Sequence, residues 1–430
     1  MQRVALIAVA IGLATAAARA EEPKTLQDCI AIAIAQHPSL KAASASVQAG
    51  NQRVLQAESN YLPQITGFYD ATRQRSNLSQ RTNSQGVTLA PANTFNFYKT
   101  GVGFTQILFD FGQQLNSIRA AQASEQSLEA DFSTQQDTVV LNVKQAYFNM
   151  LATRRLLGVA DETVHQNEKH VEQAQGRFSV GVAAKFDVTQ AQVQLAQAEL
   201  NQVSARNNVA VARETLRNAL GLIAPIDFDI VDNFDVHTLS ISEDNALSLA
   251  YDKRPELQSL QAQERSTTEQ IASLQKGYLP NLTGNGQYVW SASDYPLASS
   301  WMVTAAVNLS IFNGGLTTAQ VGEQKANLAN LKYNEELERE NIGLEVRQDV
   351  LNLQQSAESI RVSEKGLQQA RENLEIAEGR YKTGVGNIIE LTDAQASLTT
   401  AEASYVQALY NYKTSVAALE KATAQPLTSD

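Results

Sequence analysis

The residues of this chain that could do chemistry gather in two short stretches. One reads GRFSVGVAAKFDVTQAQ, from Gly176 to Gln192, and the other GRYKTGVGNIIELTDAQ, from Gly379 to Gln395. Each has Gly, Arg and an aromatic, then a turn glycine, then an acidic residue opening a new helical pattern. Gly181 matches Gly384 and Asp187 matches Glu390, both 203 positions apart (384 − 181 and 390 − 187). A carboxylate near a helix N-terminus is favoured by about 0.3–1 kcal/mol. Asp187 with Gln190 reads as an Asp-x-x-Gln capping pattern, and Glu390 with Asp393 occupies the same places. Gly181 and Gly384 suit turns that need a positive φ. This is the chemistry of helix ends and fixed charge. The sequence has no nucleophile elbow, phosphate loop, dinucleotide fingerprint or metal cluster. His165 and His170 are five apart, do not face together on a helix, and read as solvated surface. His37 precedes a proline, and His237 falls in a linker. Catalysis, a cofactor and a resident metal are not expected, so energy must come from a partner.

The two stretches read as the tips of helical hairpins. Gln113 to about Gln175 is free of proline and would span roughly 90 Å as one helix. Leu316 to about Glu378 is its twin. No globular core holds such a helix, so others must support it along its length. After the tips, Ala191, Leu195, Ala198, Gln202, Ala205, Val209, Ala212 and Leu216 alternate four and three apart. The matching ladder is Ala394, Leu398, Ala401, Tyr405, Ala408, Tyr412, Ser415 and Leu419. That spacing is a coiled-coil seam, and its small residues allow close packing.

The duplication extends upstream. Tyr61-Leu62-Pro63 recurs as Tyr278-Leu279-Pro280, and Pro38 as Pro255, at a shift of 217 (278 − 61 and 255 − 38). Phe109 with Gly112 recurs as Phe312 with Gly315 at 203 (312 − 109). Two similar halves therefore differ in length at one loop. Between Pro and Phe the period becomes two. Leu282, Gly284, Gly286, Tyr288 and Trp290 alternate with polar Asn281, Thr283, Asn285 and Gln287, and Val303, Ala305, Val307, Leu309 and Ile311 continue the pattern. Each strand has about the 9–11 residues of a membrane-crossing strand. Tyr61, Phe109, Tyr278, Trp290, Trp301 and Phe312 mark the strand ends as membrane-interface aromatics; an ordinary sheet with one wet face is the alternative.

The organisation expected is a signal peptide at 1–20 and a first repeat at 21–222. The first repeat has strands near 63–75 and 95–109 and a hairpin at 113–221 with its tip near 177–187. A linker follows at 223–243. The second repeat, 244–424, has strands near 280–290 and 301–312 and a hairpin at 316–424 with its tip near 380–390. A tail runs 425–430. The signal reading rests on Arg3, the apolar run Val4 to Ala18 and the small-x-small site Ala18-Arg19-Ala20. A net charge of −11 over 430 residues argues against a nucleic-acid partner. Aromatics at only 7% with few prolines suit long helices packed side by side. Cys29 is the sole cysteine, so no intrachain disulfide is possible and its position is not that of a lipidated cysteine. No run of about 18 apolar residues follows residue 20. The loop Ser76–Pro91 is polar and reads as exposed.

Four strands cannot close a barrel, and open edges are not tolerated in lipid. The missing strands must come from other copies, with helical hairpins too polar for lipid standing in the periplasm.

On the duplicated halves, the YLP strand starts, the FDFG and FNGG strand exits and the GR-aromatic-x-x-G tips, the chain resembles the TolC family of outer-membrane efflux channels, in its unlipidated branch. The resemblance implies a mainly α fold with a β-barrel part. It implies a homotrimer whose 12-stranded barrel sits among outer-membrane lipids and continues into an α-helical periplasmic barrel. It also implies a periplasmic adaptor and an inner-membrane transporter of RND or ABC type as partners, in a multidrug efflux pump or type I secretion system. Asp187, Tyr381, Glu390 and Asp393 align with the family's periplasmic gate, with cation block possible at Glu390 and Asp393. An arginine expected in that network is replaced by Gly386. Arg177, Gly181, Val182, Arg380, Gly384 and Val385 align with the adaptor-contact tips. A periplasmic adaptor or a structural coiled-coil protein is the competing reading, separable by detergent requirement and bilayer conductance.

Overall fold

In the computed structural model, residues 23–75, 81–82, 88–89, 94–232, 239, 241–293 and 295–427 are described. The expected signal peptide, most of the 76–91 loop, His237 and the last three residues lie outside them.

The chain order is α1 (Leu26–Gln36), α2 (Pro38–Ser59), β1 (Gln64–Gln74), β2 (Arg81–Thr82), β3 (Thr88–Leu89), β4 (Phe95–Phe109), α3 (Gln113–Ser179), α4 (Lys185–Ala219), α5 (Glu243–Lys253), α6 (Pro255–Lys276), β5 (Asn281–Ala292), β6 (Ala298–Asn308), α7 (Leu316–Thr383) and α8 (Ile388–Ala422). Pro38 and Pro255 each open a helix, where the missing N–H costs nothing. The 67 residues of α3 and 68 of α7 give helices of roughly 100 Å.

The compact units are not the repeats. One comprises Met1–Lys41, Gln136–Ala250 and Glu345–Asp430; the other comprises Ala42–Gln135 and Tyr251–Leu344. Each therefore draws on both halves of the duplication, and α3 and α7 contribute to both units.

The second unit contains a four-stranded antiparallel sheet in the order β1-β4-β5-β6. Its register aligns the period-two patterns into faces. Ile65 pairs Phe104 and Gly67 pairs Val102. Phe104 pairs Gly286 and Val102 pairs Tyr288. Gly286 pairs Val303, Tyr288 pairs Trp301, and Leu282 pairs Val307. One face is thus apolar across every strand, and its residues are open: Ile65, Trp301, Val303 and Val307 are each about 70% exposed or more. The other face carries Gln64, Thr105, Asn285 and Thr304 in one row, with Thr105 Oγ1 donating to Asn285 Oδ1 at 3.0 Å. Gly286 lets the Phe104 ring lie flat on its neighbour, since a Cβ there would meet the ring at 2.2 Å.

Strand β6 ends at Asn308, paired with Asn281, although the alternation in the sequence runs on to Ile311. Pro280 precedes β5, so residues 309–312 find no strand partner among the described residues, and Phe312 stands past the strand, 86% exposed. Trp290 and Trp301 are not cross-strand partners; Trp290 faces Ser299 and packs edge-on against Tyr288 at 4.6 Å. Beside the sheet in this unit, α3 and α6 are stitched by hydroxyls: Ser127 Oγ lies 3.0 Å from Ser259 Oγ, and Ser266 Oγ donates to the Ala120 carbonyl at 2.8 Å.

The first unit holds a core built on Cys29, Tyr147, Leu151, Leu216, Leu220, Tyr412 and Leu419, each at most 2% exposed. Glu420, on α8, pairs with Lys144 of α3 inside it. Both heptad ladders lie along the least exposed line of their helices. The two helices differ otherwise: α8 buries residues toward both ends, from Ile388 to Gln395 and from Val406 to Ala422, whereas α4 buries only Ala191, Ala198, Ala212 and Leu216.

Candidate gate and docking site at the hairpin tips

Both tips are built by the same hydrogen bonds. In the first, the Gly181 N–H donates to Phe178 O and the Val182 N–H to Arg177 O, each at 3.0 Å. In the second, Gly384 donates to Tyr381 O at 3.2 Å and Val385 to Arg380 O at 3.0 Å. These bonds satisfy the last carbonyls of a helix and require a left-handed residue at the corner. Gly181 and Gly384 supply it, at φ 80° and 77°. The corners leave Val182 63% and Val385 70% exposed, with Val180 73% exposed beside them.

The acidic residues sit one turn further in than their capping pattern suggests. The N-cap of α4 is Ala184, which caps with no side chain, and Asp187 is the third helical residue. The N-cap of α8 is Asn387, whose Oδ1 accepts from the Glu390 N–H at 2.9 Å. Asp187 and Glu390 therefore answer the helix dipole from the first turn, and Asn-x-x-Glu was the legible cap.

Arg380 and Glu390 form an ion pair at 3.2 Å, both side chains about half exposed. This pair explains Gly386. A Cβ at that position would come within 3.0 Å of Arg380 Cβ and 3.2 Å of Glu390 Oε2. Arg380 thus reaches the Glu390 carboxylate across the space that a side chain at position 386 would enter. Asp393 lies one turn on, exposed.

Tyr381 is 2% exposed in a cluster with Leu374, Ala377, Ile388, Leu391 and Ala394. The structure brings it to Arg177 of the first hairpin: Arg177 Nη1 donates to the Tyr381 carbonyl, and the guanidinium stands 4.8 Å above its ring centroid. A positive group at the C-terminal end of α7 also suits that helix's dipole. Burial pushes the Tyr381 phenol up, the Arg177 charge pulls it down and the Asp187 charge pushes it up again. The Tyr381 hydroxyl has no hydrogen-bond partner among the described residues. Asp187 is thus near enough to be felt but does not bond to it.

The surface placement read for the histidines holds for His165, which lies 3.7 Å from Glu168 on an open face. It fails for His170, which is 4% exposed. Spacing along one helix cannot reveal that a second hairpin covers it. Gln395, opposite His170, is 5% exposed and was likewise missed.

The sequence matches the family described as Outer membrane efflux protein over residues 29–222 and 246–425. The chain belongs to this family. Membership places it in the outer membrane as an efflux channel, with a mainly helical fold and a β-barrel part. Among individual relatives it is 28% identical to outer membrane protein TolC of Escherichia coli (strain K12), over 87% of this chain and 77% of TolC. Its fold matches the CmeC outer membrane channel of Campylobacter jejuni with a TM-score of 0.80 at 18% identity, covering 94% of this chain and 87% of CmeC. It also matches the open state of the MtrE outer membrane channel of Neisseria gonorrhoeae, with a TM-score of 0.79 at 20% identity, over 94% of this chain and 90% of MtrE.

Proposed function

We propose that three copies of this chain form the exit duct of a tripartite efflux pump or type I secretion system, opened at its periplasmic end by a docked adaptor and an RND- or ABC-type inner-membrane transporter. The observation that carries this reading is the sheet. Its order leaves β1 and β6 as outer strands, and apolar rows such as Ile65, Phe104, Gly286 and Val303 cross all four. In hydrocarbon an unpaired backbone group costs several kcal/mol, so β1 of one copy must meet β6 of the next. Three copies of four strands give an even-numbered barrel within the range such proteins use.

The tips supply the docking surface: Val182 and Val385 are apolar knobs on rigid corners, flanked by Arg177 and Arg380. Asp187, Tyr381, Glu390 and Asp393 form the gate, the second hairpin moving outward when its links to the first are broken. Symmetry would bring the Glu390 and Asp393 carboxylates of the copies together as a cation site. Detergent-extracted protein in a planar bilayer should conduct, and divalent cations should block it. Replacing both Glu390 and Asp393 with Ala should relieve that block; unchanged block and conductance would remove these two residues from the gate.

A further inference from the structure

Among the described residues, four of the five buried side-chain atoms lacking a hydrogen bond lie near the tips: His170 Nε2, Arg177 Nε, the Tyr381 hydroxyl and Gln395 Oε1. They belong to one seam. On α3, Thr163, His170 and Arg177 are seven apart (170 − 163 and 177 − 170), so they share a face. Their counterparts come from the second hairpin. Thr163 Oγ1 lies 3.1 Å from Thr399 Oγ1, His170 faces Gln395, and Arg177 grips the Tyr381 carbonyl. Three polar rungs thus join the first hairpin to the second, and the middle rung is the one that can change charge near neutral pH.

We propose that this seam is an acid-released clasp between the hairpins, with protonation of His170 as its trigger. The proposal rests on the channel reading above and names the regulation of that gate. The charges around His170 decide the direction. Its own helix presents Lys169, α7 presents Glu378 and Lys382, and α8 presents the uncharged Gln395; Asp187 of α4 faces Tyr381. Glu378 is already held by Lys382 Nζ at 3.1 Å. An imidazolium would therefore form at a buried position with two ammonium groups and one engaged carboxylate around it, on a cleft that Glu172 and Arg177 also line. Burial lowers the His170 pKa below its ordinary 6.5; Glu378 and Gln395 raise it, and Lys169 and Lys382 lower it further. The packed seam thus binds fewer protons than the parted one. It is intact above about pH 6.5 and weakens as pH falls below that, down to the lowered value. Within that window the balance shifts toward the parted form by about tenfold per pH unit in each chain. Arg177 and Thr163 then lose the register that His170 kept between them.

The test is single-channel recording of the intact oligomer, titrating the helical side from about pH 7.5 to about pH 5.5. The open fraction of the wild-type channel should rise several-fold. His170→Gln should flatten that response with the oligomer intact on native gels. As a second arm, Thr163→Cys with Thr399→Cys, oxidised, should hold the channel shut in acid, and reductant should restore the response; Cys29 is buried and does not compete. An equal acid response in His170→Gln, or in the oxidised pair, overturns the clasp. So does a flat wild-type response while the Glu390 and Asp393 double variant still alters conductance, and in that case the channel reading survives. Absence of conductance from every protein would instead remove the channel reading.

Discussion

Arg177 does at the residue scale what a turn motif alone would not ask of it. Its setting beside a glycine and an aromatic reads as a surface feature of a tip. In the fold it crosses to the other hairpin, bonds a helix-terminal carbonyl and covers a buried ring. A hydrogen bond from a charged donor contributes about 1.5–3 kcal/mol. Arg177→Ala should therefore speed amide hydrogen exchange at Gly384 and Val385 by one to two orders of magnitude or about that, with the melting temperature nearly unchanged. Equal exchange in both proteins would show that the second tip holds without it. Cys29 makes the opposite case, a reactive group silenced by packing. It is fully buried, and burial with the Asp28 charge pushes its thiol from 9.0 up to about 12. The folded state keeps this proton better than the unfolded one. Its stabilising share is present below about pH 9 and lost as pH climbs through about 12. Maleimide labelling at neutral pH should be negligible until denaturant unfolds the first unit. The tip glycines, arginines and acids were legible because local turns dictate them. His170 and Gln395 were not, because their burial depends on residues 225 positions apart (395 − 170) meeting across two hairpins.

At the element scale the heptad ladders were readable because a seam repeats along one helix, whatever it faces. How heavily each helix is covered was not readable, since α4 and α8 carry the same ladder. In the structure α8 is covered toward both ends, while α4 leaves Val193, Leu200, Val203 and Val211 each more than half exposed. Scattered exposed apolar residues are ordinary, but a row on one returning helix marks a surface meant to be covered. Leu200→Glu with Val203→Glu should leave helix content unchanged and shift the oligomer to single subunits on native gels. A stable oligomer in that variant would place the subunit contact elsewhere. The end of β6 shows the same limit in the strands. Alternation was visible to Ile311, but a strand stops where its partner stops, and the start of β5 at Asn281 fixed that.

For the whole molecule, the duplication in the sequence and the compact units in the fold answer different questions. The repeat records how the chain was built; the units record what packs, and each takes material from both halves. Helices crossing from one unit to the other leave the boundary faint in the sequence, because no proline or loop marks it within α3 or α7, and in α7 only Gly343 stands beside it. The need for several copies was legible from strand number alone, since hydrogen-bond accounting in lipid does not depend on side-chain detail.

The two unpaired borders of the sheet also govern when the pore can exist. A solitary newly exported copy carries a ribbon too narrow to be at home in any bilayer, so the energised inner membrane is spared accidental leaks. Insertion becomes a meeting of siblings, and its yield follows the cube of their supply. Halving synthesis while assembly is scarce should cut working ducts roughly eightfold, so cells would set export capacity steeply by small changes in expression.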